Sequence, residues 1–242
     1  MMKKDIRERR ENPMAFAPGA RGRLTSYDLE RFGGNTLFDR IGRVVCGVGR
    51  LPRKELYETW EVARRVRRWC RGGRVMDVAG GHGLLAHLML LLDDSSPEAI
   101  VIDPATPPSS VALHAAFAAE WPRLRERISY VADDVGHVAF AAADVVVSSH
   151  ACGSLTDRVL DVAIGASTAV AVLPCCHETG RCNAGPLAGW VDGALAIDVA
   201  RAMRLVSHGY HVRTQTIPRA ITLKNRLLIG MPSRARAEGQ RF

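Results

Sequence analysis

The chain has 242 residues, 47% hydrophobic and 24% charged, with 33 Lys and Arg against 25 Asp and Glu for a formal net charge of +8. That length accommodates one large core. The lack of biased tracts and of repeats at periods of about 20–50 residues excludes fibrous and solenoid architectures, and no apolar run reaches the roughly 18 residues of a membrane span.

Residues 1–50 hold several breakers (Pro13, Pro18, Gly19, Gly22, Gly33, Gly34) and read as a partly ordered N-terminal extension with a short helix at 26–32. Residues 51–242 read as one domain. From Pro52, Leu56, Trp60, Ala63, Val66 and Cys70 recur at spacings of three and four, which predicts an amphipathic helix ending at Gly72–Gly73. Short apolar runs then alternate with helical segments. RVMDV, AIVIDP, ISYVAD, DVVVSS and TAVAVLP are expected strands, separated by the expected helices GLLAHLMLLL, SSVALHAAFAAEW and LTDRVLDVAIGA. This is the pattern of a parallel sheet covered by helices on both faces, so the fold class is α/β. After a helix at 193–208, HVRTQTI and RLLIGMP are joined too briefly for a parallel crossover and must pair as an antiparallel hairpin, completing a mainly parallel seven-stranded sheet.

The charged segment MMKKDIRERRENP lacks the apolar stretch of a secretory signal, and six cysteines, at 46, 70, 152, 175, 176 and 182, are too dispersed for a disulfide scaffold. Both point to a cytoplasmic protein with free thiols. Basic residues cluster as RERR near the start, RGR at 21–23, RRVRRWCR at 64–71 and RARAEGQR at the end. Such runs suit a polyanionic partner through phosphate neutralisation, although a generally arginine-rich composition would leave the same trace.

The most informative stretch is VMDVAGGHGLLA, residues 75–86, a strand that runs into a glycine-rich turn and then a helix. Glycines let the backbone turn sharply and approach a nucleotide-like ligand, which meets the free N–H groups of the helix start. Gly81-x-Gly83-x-x-Ala86, with Asp103 following at the end of the next strand, also satisfies the dinucleotide fingerprint. Asp77 separates the two readings. A carboxylate ahead of the loop repels a pyrophosphate and suits a ligand bearing an ammonium or sulfonium.

With these residues the chain resembles the S-adenosylmethionine-dependent methyltransferases of class I, whose first motif, Asp/Glu-x-Gly-x-Gly-x-Gly, is matched by DVAGGHG with Ala79 in place of the first glycine. The resemblance implies a Rossmann-like methyltransferase domain with S-adenosyl-L-methionine as cofactor. Asp77 would help hold the methionine end, Ala79, Gly81 and Gly83 would line the cofactor, and Asp103 would accept hydrogen bonds from the ribose hydroxyls. Asp134, with Asp133 as its rival in ADDV, would reach the adenine amino group. An aspartate after a strand can also be only a helix cap, a reading that weighs most on Asp134.

Two unusual segments follow the fourth and fifth strands, SSHACGSLTD and LPCCHETGRC. In a doubly wound sheet both lie at the ligand-binding edge, where His150, Cys152, Cys175, Cys176, His177 and Cys182 could hold zinc. The expectation is nevertheless that no metal is bound. No C-x-x-C pair exists, and adjacent residues leaving a strand, such as Cys175 and Cys176, point opposite ways. The pairing of HACG with CCH is similar to the tRNA 2′-O-methyltransferases that act on the acceptor stem, over about residues 52–184, with TLKNRLLIG as weaker support; the Cys- and His-rich N-terminal modules of those enzymes are absent here. That similarity implies an RNA substrate. It makes Cys152, Cys175, Cys176 and Lys224 the acceptor pocket, with His150 or His177 as general base and Lys54 orienting a ribose or phosphate. The competing readings are a nicotinamide-dependent oxidoreductase and a non-catalytic RNA- or metal-binding protein on the same fold.

Overall fold

A computed structural model of the chain describes residues 17–233; the basic segments at 7–10 and 234–241 lie outside them. The parallel strands are β1 (Val75–Val78), β2 (Ala99–Ile102), β3 (Ile128–Val131), β4 (Val145–Ser148) and β5 (Ala169–Val172), followed by β6 (Tyr210–Thr216) and β7 (Arg226–Pro232). They form one seven-stranded sheet in the order β3-β2-β1-β4-β5-β7-β6. β7 runs antiparallel to both neighbours, with Val172 opposite Leu228 and Tyr210 opposite Pro232. The expected mainly parallel sheet closed by a C-terminal hairpin is therefore present, and the order switches direction between β1 and β4, the position at which sheets of this kind bind ligands.

Among the described residues six α-helices pack the sheet: α1 (Leu37–Val48), α2 (Arg53–Val66), α3 (Leu84–Leu92), α4 (Ser109–Glu120), α5 (Ser154–Ala166) and α6 (Gly193–Ser207). β1 and β4 are buried along their whole length, as strands covered on both faces must be. One apolar cluster gathers α1–α4 on one face, around Leu56, Leu88, Val101 and Phe117. A second gathers α5 and α6 on the other, around Met76, Val146, Leu160 and Leu205. No helix among the described residues is long and apolar enough to cross a membrane.

Two details differ from the sequence expectation. The helix that starts after Pro52 stops at Val66 rather than running to Gly72. The reason is Arg67, which turns inward at 3% exposure, donates to the carbonyls of Met89 and Cys70 and to Ser96 Oγ, and lies 3.2 Å from Asp93. Peptide carbonyls that would otherwise be buried without partners take up this guanidinium. The second difference lies in residues 17–50. Ser26–Phe32 is the expected short helix, in 3₁₀ form, but α1 was not among the expected elements. Leu24, Phe32, Ile41, Val45 and Cys46 from this region are 0–1% exposed and belong to the α1–α4 cluster.

Candidate active site

The turn after β1 is held by its own backbone: Ala79 N–H donates to Ile102 O at 2.8 Å and Gly83 N–H to Gly80 O at 2.7 Å. Ala79, Gly81 and Gly83 all have positive φ, at 54°, 51° and 79°. A left-handed alanine costs about 1–2 kcal/mol, so the position that carries alanine here has the geometry of a glycine position. A Cβ on Gly83 would meet Val101 at 2.8 Å and the Tyr130 hydroxyl at 2.9 Å, whereas one on Gly81 would meet nothing within 4 Å. Gly83 is thus needed to seat the loop on the sheet, and Gly81 faces open space.

Two aspartates frame that space. Asp77 is 1% exposed, accepts from Ala86 N–H at 3.0 Å, and is pushed up to about 7, chiefly by burial and further by the negative charges of Asp103 and Glu55. No cation pairs with it among the described residues, so its charge is uncompensated. Asp103, half-buried at the end of β2, accepts from Gly81 N–H at 3.0 Å through one oxygen and from Ala105 N–H at 2.9 Å through the other. Asp134 is turned elsewhere. It caps the short 3₁₀ helix Val135–His137 through Gly136 N–H and forms a bidentate pair with Arg158, which holds it well below the usual carboxylate range. Asp133 lies 2.8 Å from His137 Nδ1. Neither carboxylate is held toward the loop, and the expected adenine contact gains no support from this arrangement.

The amino end of α2 closes over the loop. Lys54 Nζ pairs with the buried Glu58 at 2.8 Å, and Glu55 lies 3.8 Å from His82 Nδ1. Burial and the neighbouring Glu58 push Glu55 up to about 7. His150, just beyond β4, is held below its ordinary value by burial, with Glu58, Lys54 and His82 as the charges it feels. Lys54 and His150 are therefore brought together, with Glu55, Glu58 and His82 as partners that sequence reasoning missed. The available signal was weak: carboxylates three apart at a helix start, one residue after Lys54, and a histidine inside the glycine turn.

The segments after β4 and β5 interlock. Gly153, with φ of 55°, donates its N–H to Cys176 O at 3.3 Å, and a Cβ there would lie 2.5 Å from the Glu178 side chain. From below, the 2%-exposed Arg201 donates to Gly153 O at 2.9 Å and pairs with Asp157 at 2.8 Å. The result overturns one expectation. Cys175 and Cys176 do not point apart: the sulfurs of Cys152, Cys175 and Cys176 lie within 4.8 Å of one another, with Cys152 and Cys175 at 2.8 Å. β5 ends at Val172, and side-chain alternation lapses once the chain leaves the sheet. Lys224 Nζ stands 3.8 Å from Cys176 Sγ, and hydrogen bonding from Cys152 lowers the Cys176 thiol while burial raises Cys175. Cys182 is buried away from this group, against Arg201. His177 donates Nε2–H to Asp198 at 2.7 Å, and Asp198 also takes Arg226 at 2.6 Å. His177 Nδ1 has no hydrogen-bond partner among the described residues.

A family model described as a methyltransferase domain matches residues 54–181, more than half of the chain. The chain belongs to this methyltransferase family. It is an enzyme that uses S-adenosylmethionine, and the loop fits that cofactor: an uncompensated buried carboxylate, of the kind a cationic ligand would satisfy, stands beside an open glycine and a strand-end aspartate. No curated protein sequence matches the chain. Among solved structures it is similar to an O-methyltransferase family protein from Burkholderia thailandensis, 18% identical over 96% of this chain and 69% of that one, with a TM-score of 0.51. It is also similar to the mitomycin 7-O-methyltransferase MmcR, 14% identical over 96% of this chain and 67% of that one, with a TM-score of 0.51. At these identities the likeness establishes the methyltransferase fold.

Proposed function

We propose that this methyltransferase modifies a hydroxyl oxygen of RNA, a ribose 2′-hydroxyl being the acceptor that best suits a neutral imidazole base. The observation that carries the reading is a cleft of about 480 Å³ lined by Arg65, Arg219 and Arg226 together with Thr216–Pro218 and Asn225. Because Arg226 starts β7 opposite the end of β5, the cleft opens at the carboxyl edge of the sheet, beside the acceptor wall. Arginines around a groove at that edge suit a phosphate backbone. The cleft and the wall share one carboxylate: Asp198 takes Arg226 on one oxygen and His177 on the other.

S-adenosylmethionine, when bound, supplies a sulfonium methyl group open to direct displacement. The chain's own groups hold it, exclude water and manage one proton. Asp77 and Asp103 hold and orient, and the glycine turn admits the ligand. His150, kept neutral by burial, is placed to take the hydroxyl proton as the oxygen becomes nucleophilic. Lys54, fixed by Glu58, offers positive charge at the same place. Asp198 fixes the tautomer and ring orientation of His177, leaving Nδ1 as the second basic position.

The test is transfer of a labelled methyl group to fractionated RNA, protein and small-molecule pools. Label made soluble by ribonuclease, and reduced several-fold by Arg219→Glu without loss of cofactor binding, supports the reading. Label confined to the small-molecule pool refutes it.

A further inference from the structure

Three thiols meeting at the mouth of a crevice need an explanation beyond walling a pocket. Each comes from an irregular segment, Cys152 after β4 and Cys175 and Cys176 after β5, and Cys152 is solvent-exposed. The segments are locked together by Gly153 at a positive φ that side chains rarely adopt, its backbone hydrogen bond to Cys176 and the buried Arg201 clamp beneath them. Such a scaffold fixes where the sulfurs stand.

We propose that Cys152, Cys175 and Cys176 bind one thiophilic cation of the zinc class. Sulfurs sharing a tetrahedral zinc ion stand about 3.8 Å apart when each bond is about 2.3 Å. Three sulfurs already within 4.8 Å of one another need only small side-chain adjustments to reach that spacing. Charge points the same way. Three thiolates around a divalent ion leave one net negative charge, and the Lys224 ammonium, 3.8 Å from Cys176 Sγ, offsets it. No fourth Cys, His, Asp or Glu joins the group among the described residues. The fourth position is left to water or to a ligand from the crevice, the arrangement of an open rather than a closed zinc site. Arg201 and Gly153 act as the outer support that holds the ligand-bearing loops. The site stands on the placement and charge of these residues and is independent of what the acceptor is.

The test uses the full chain, purified under reductant. Metal analysis should find about one zinc per chain. Titration of the metal-free protein with Cd²⁺ should raise a thiolate-to-metal charge-transfer band that saturates near one equivalent, and Zn²⁺ should abolish it. Cys152→Ser, Cys175→Ser and Cys176→Ser should each weaken Cd²⁺ binding more than about 100-fold, Lys224→Ala about tenfold, and Cys70→Ala not at all. Stabilisation of every variant by S-adenosylhomocysteine serves as the check that it is folded, so that loss of metal is not loss of structure. The proposal is overturned by metal well under one per chain with no charge-transfer band. It is equally overturned by a band that survives in the folded triple-serine variant, or by a Cys152–Cys175 disulfide that persists under reductant.

Discussion

Replacing Asp77 with asparagine separates what the buried carboxylate costs the free protein from what it does for the cofactor. The side chain is 1% exposed, its one hydrogen bond comes from Ala86 N–H, and Asp103 and Glu55 both repel its charge. Asparagine keeps an oxygen for Ala86 and discards the charge. Because the folded carboxyl titrates at about 7 against an ordinary 3.8, its contribution to stability is present in acid and lost as the pH rises through about 7. The distance between those values amounts to roughly 4 kcal/mol at full ionisation and to less than about 2 kcal/mol near pH 5. Thermal unfolding of the free proteins should therefore show Asp77→Asn above the parent near pH 8, by about 2–4 °C for each kcal/mol realised, with the gap closing toward pH 5. Saturating S-adenosylmethionine should narrow that gap, by about 1.4 kcal/mol for each tenfold of affinity the variant loses. Calorimetry near pH 8 should show at least about tenfold weaker binding, the scale of a lost charged hydrogen bond. A free variant less stable than the parent at pH 8, or a gap that does not change with pH, would refute the view that this charge stands uncompensated until the cofactor arrives.

Three further outcomes follow from the same geometry. Ala79→Gly relieves a left-handed alanine and should stabilise the protein by up to about 1 kcal/mol, part of the relief being offset by the freer unfolded chain, as read from the melting temperature. Asp103→Asn should weaken S-adenosylmethionine about tenfold by calorimetry while leaving the melting temperature of the free protein nearly unchanged, and NADH should not stabilise either protein. His177→Ala should retain cofactor affinity yet lower methyl transfer by roughly 10²-fold in a single-turnover assay, because Asp198 keeps Arg226 as a partner and the fold survives.

Much of the scaffold was legible because buried parallel strands write themselves as short apolar runs. RVMDV and DVVVSS sit at the centre of the sheet, and the short HVRTQTI–RLLIGMP connection forced the hairpin. α1 was not legible, because Gly42 and Gly47 read as breakers inside LFDRIGRVVCGV. In the structure a Cβ on Gly42 would lie 2.2 Å from the Phe32 ring, so that glycine is where the preceding 3₁₀ helix packs onto α1. The capping box from Thr36 to Asp39 was the signal available to outweigh it.

The site divides along a physical line between local and non-local determinants. The grouping of Asp77, Gly81, Gly83 and Asp103 around one turn could be read because the strand, turn and helix that place them are contiguous, and the next strand supplies the acid in register. Cys175 and Cys176 escape the alternation of a strand because they stand three and four residues beyond Val172, the last residue of β5. What brings their sulfurs to Cys152 is Arg201, a residue 19 positions past Cys182 on a helix with no motif of its own, whose guanidinium holds Gly153 O from beneath. Asp198, one turn earlier on the same helix, fixes His177 and Arg226. α6 thus shapes both the thiol group and the arginine-lined cleft through side chains that, among the described residues, make no hydrogen bond or ion pair with the glycine turn. A single sequence shows such a helix only as an apolar face with two charges three apart, which is also how an ordinary surface ion pair looks.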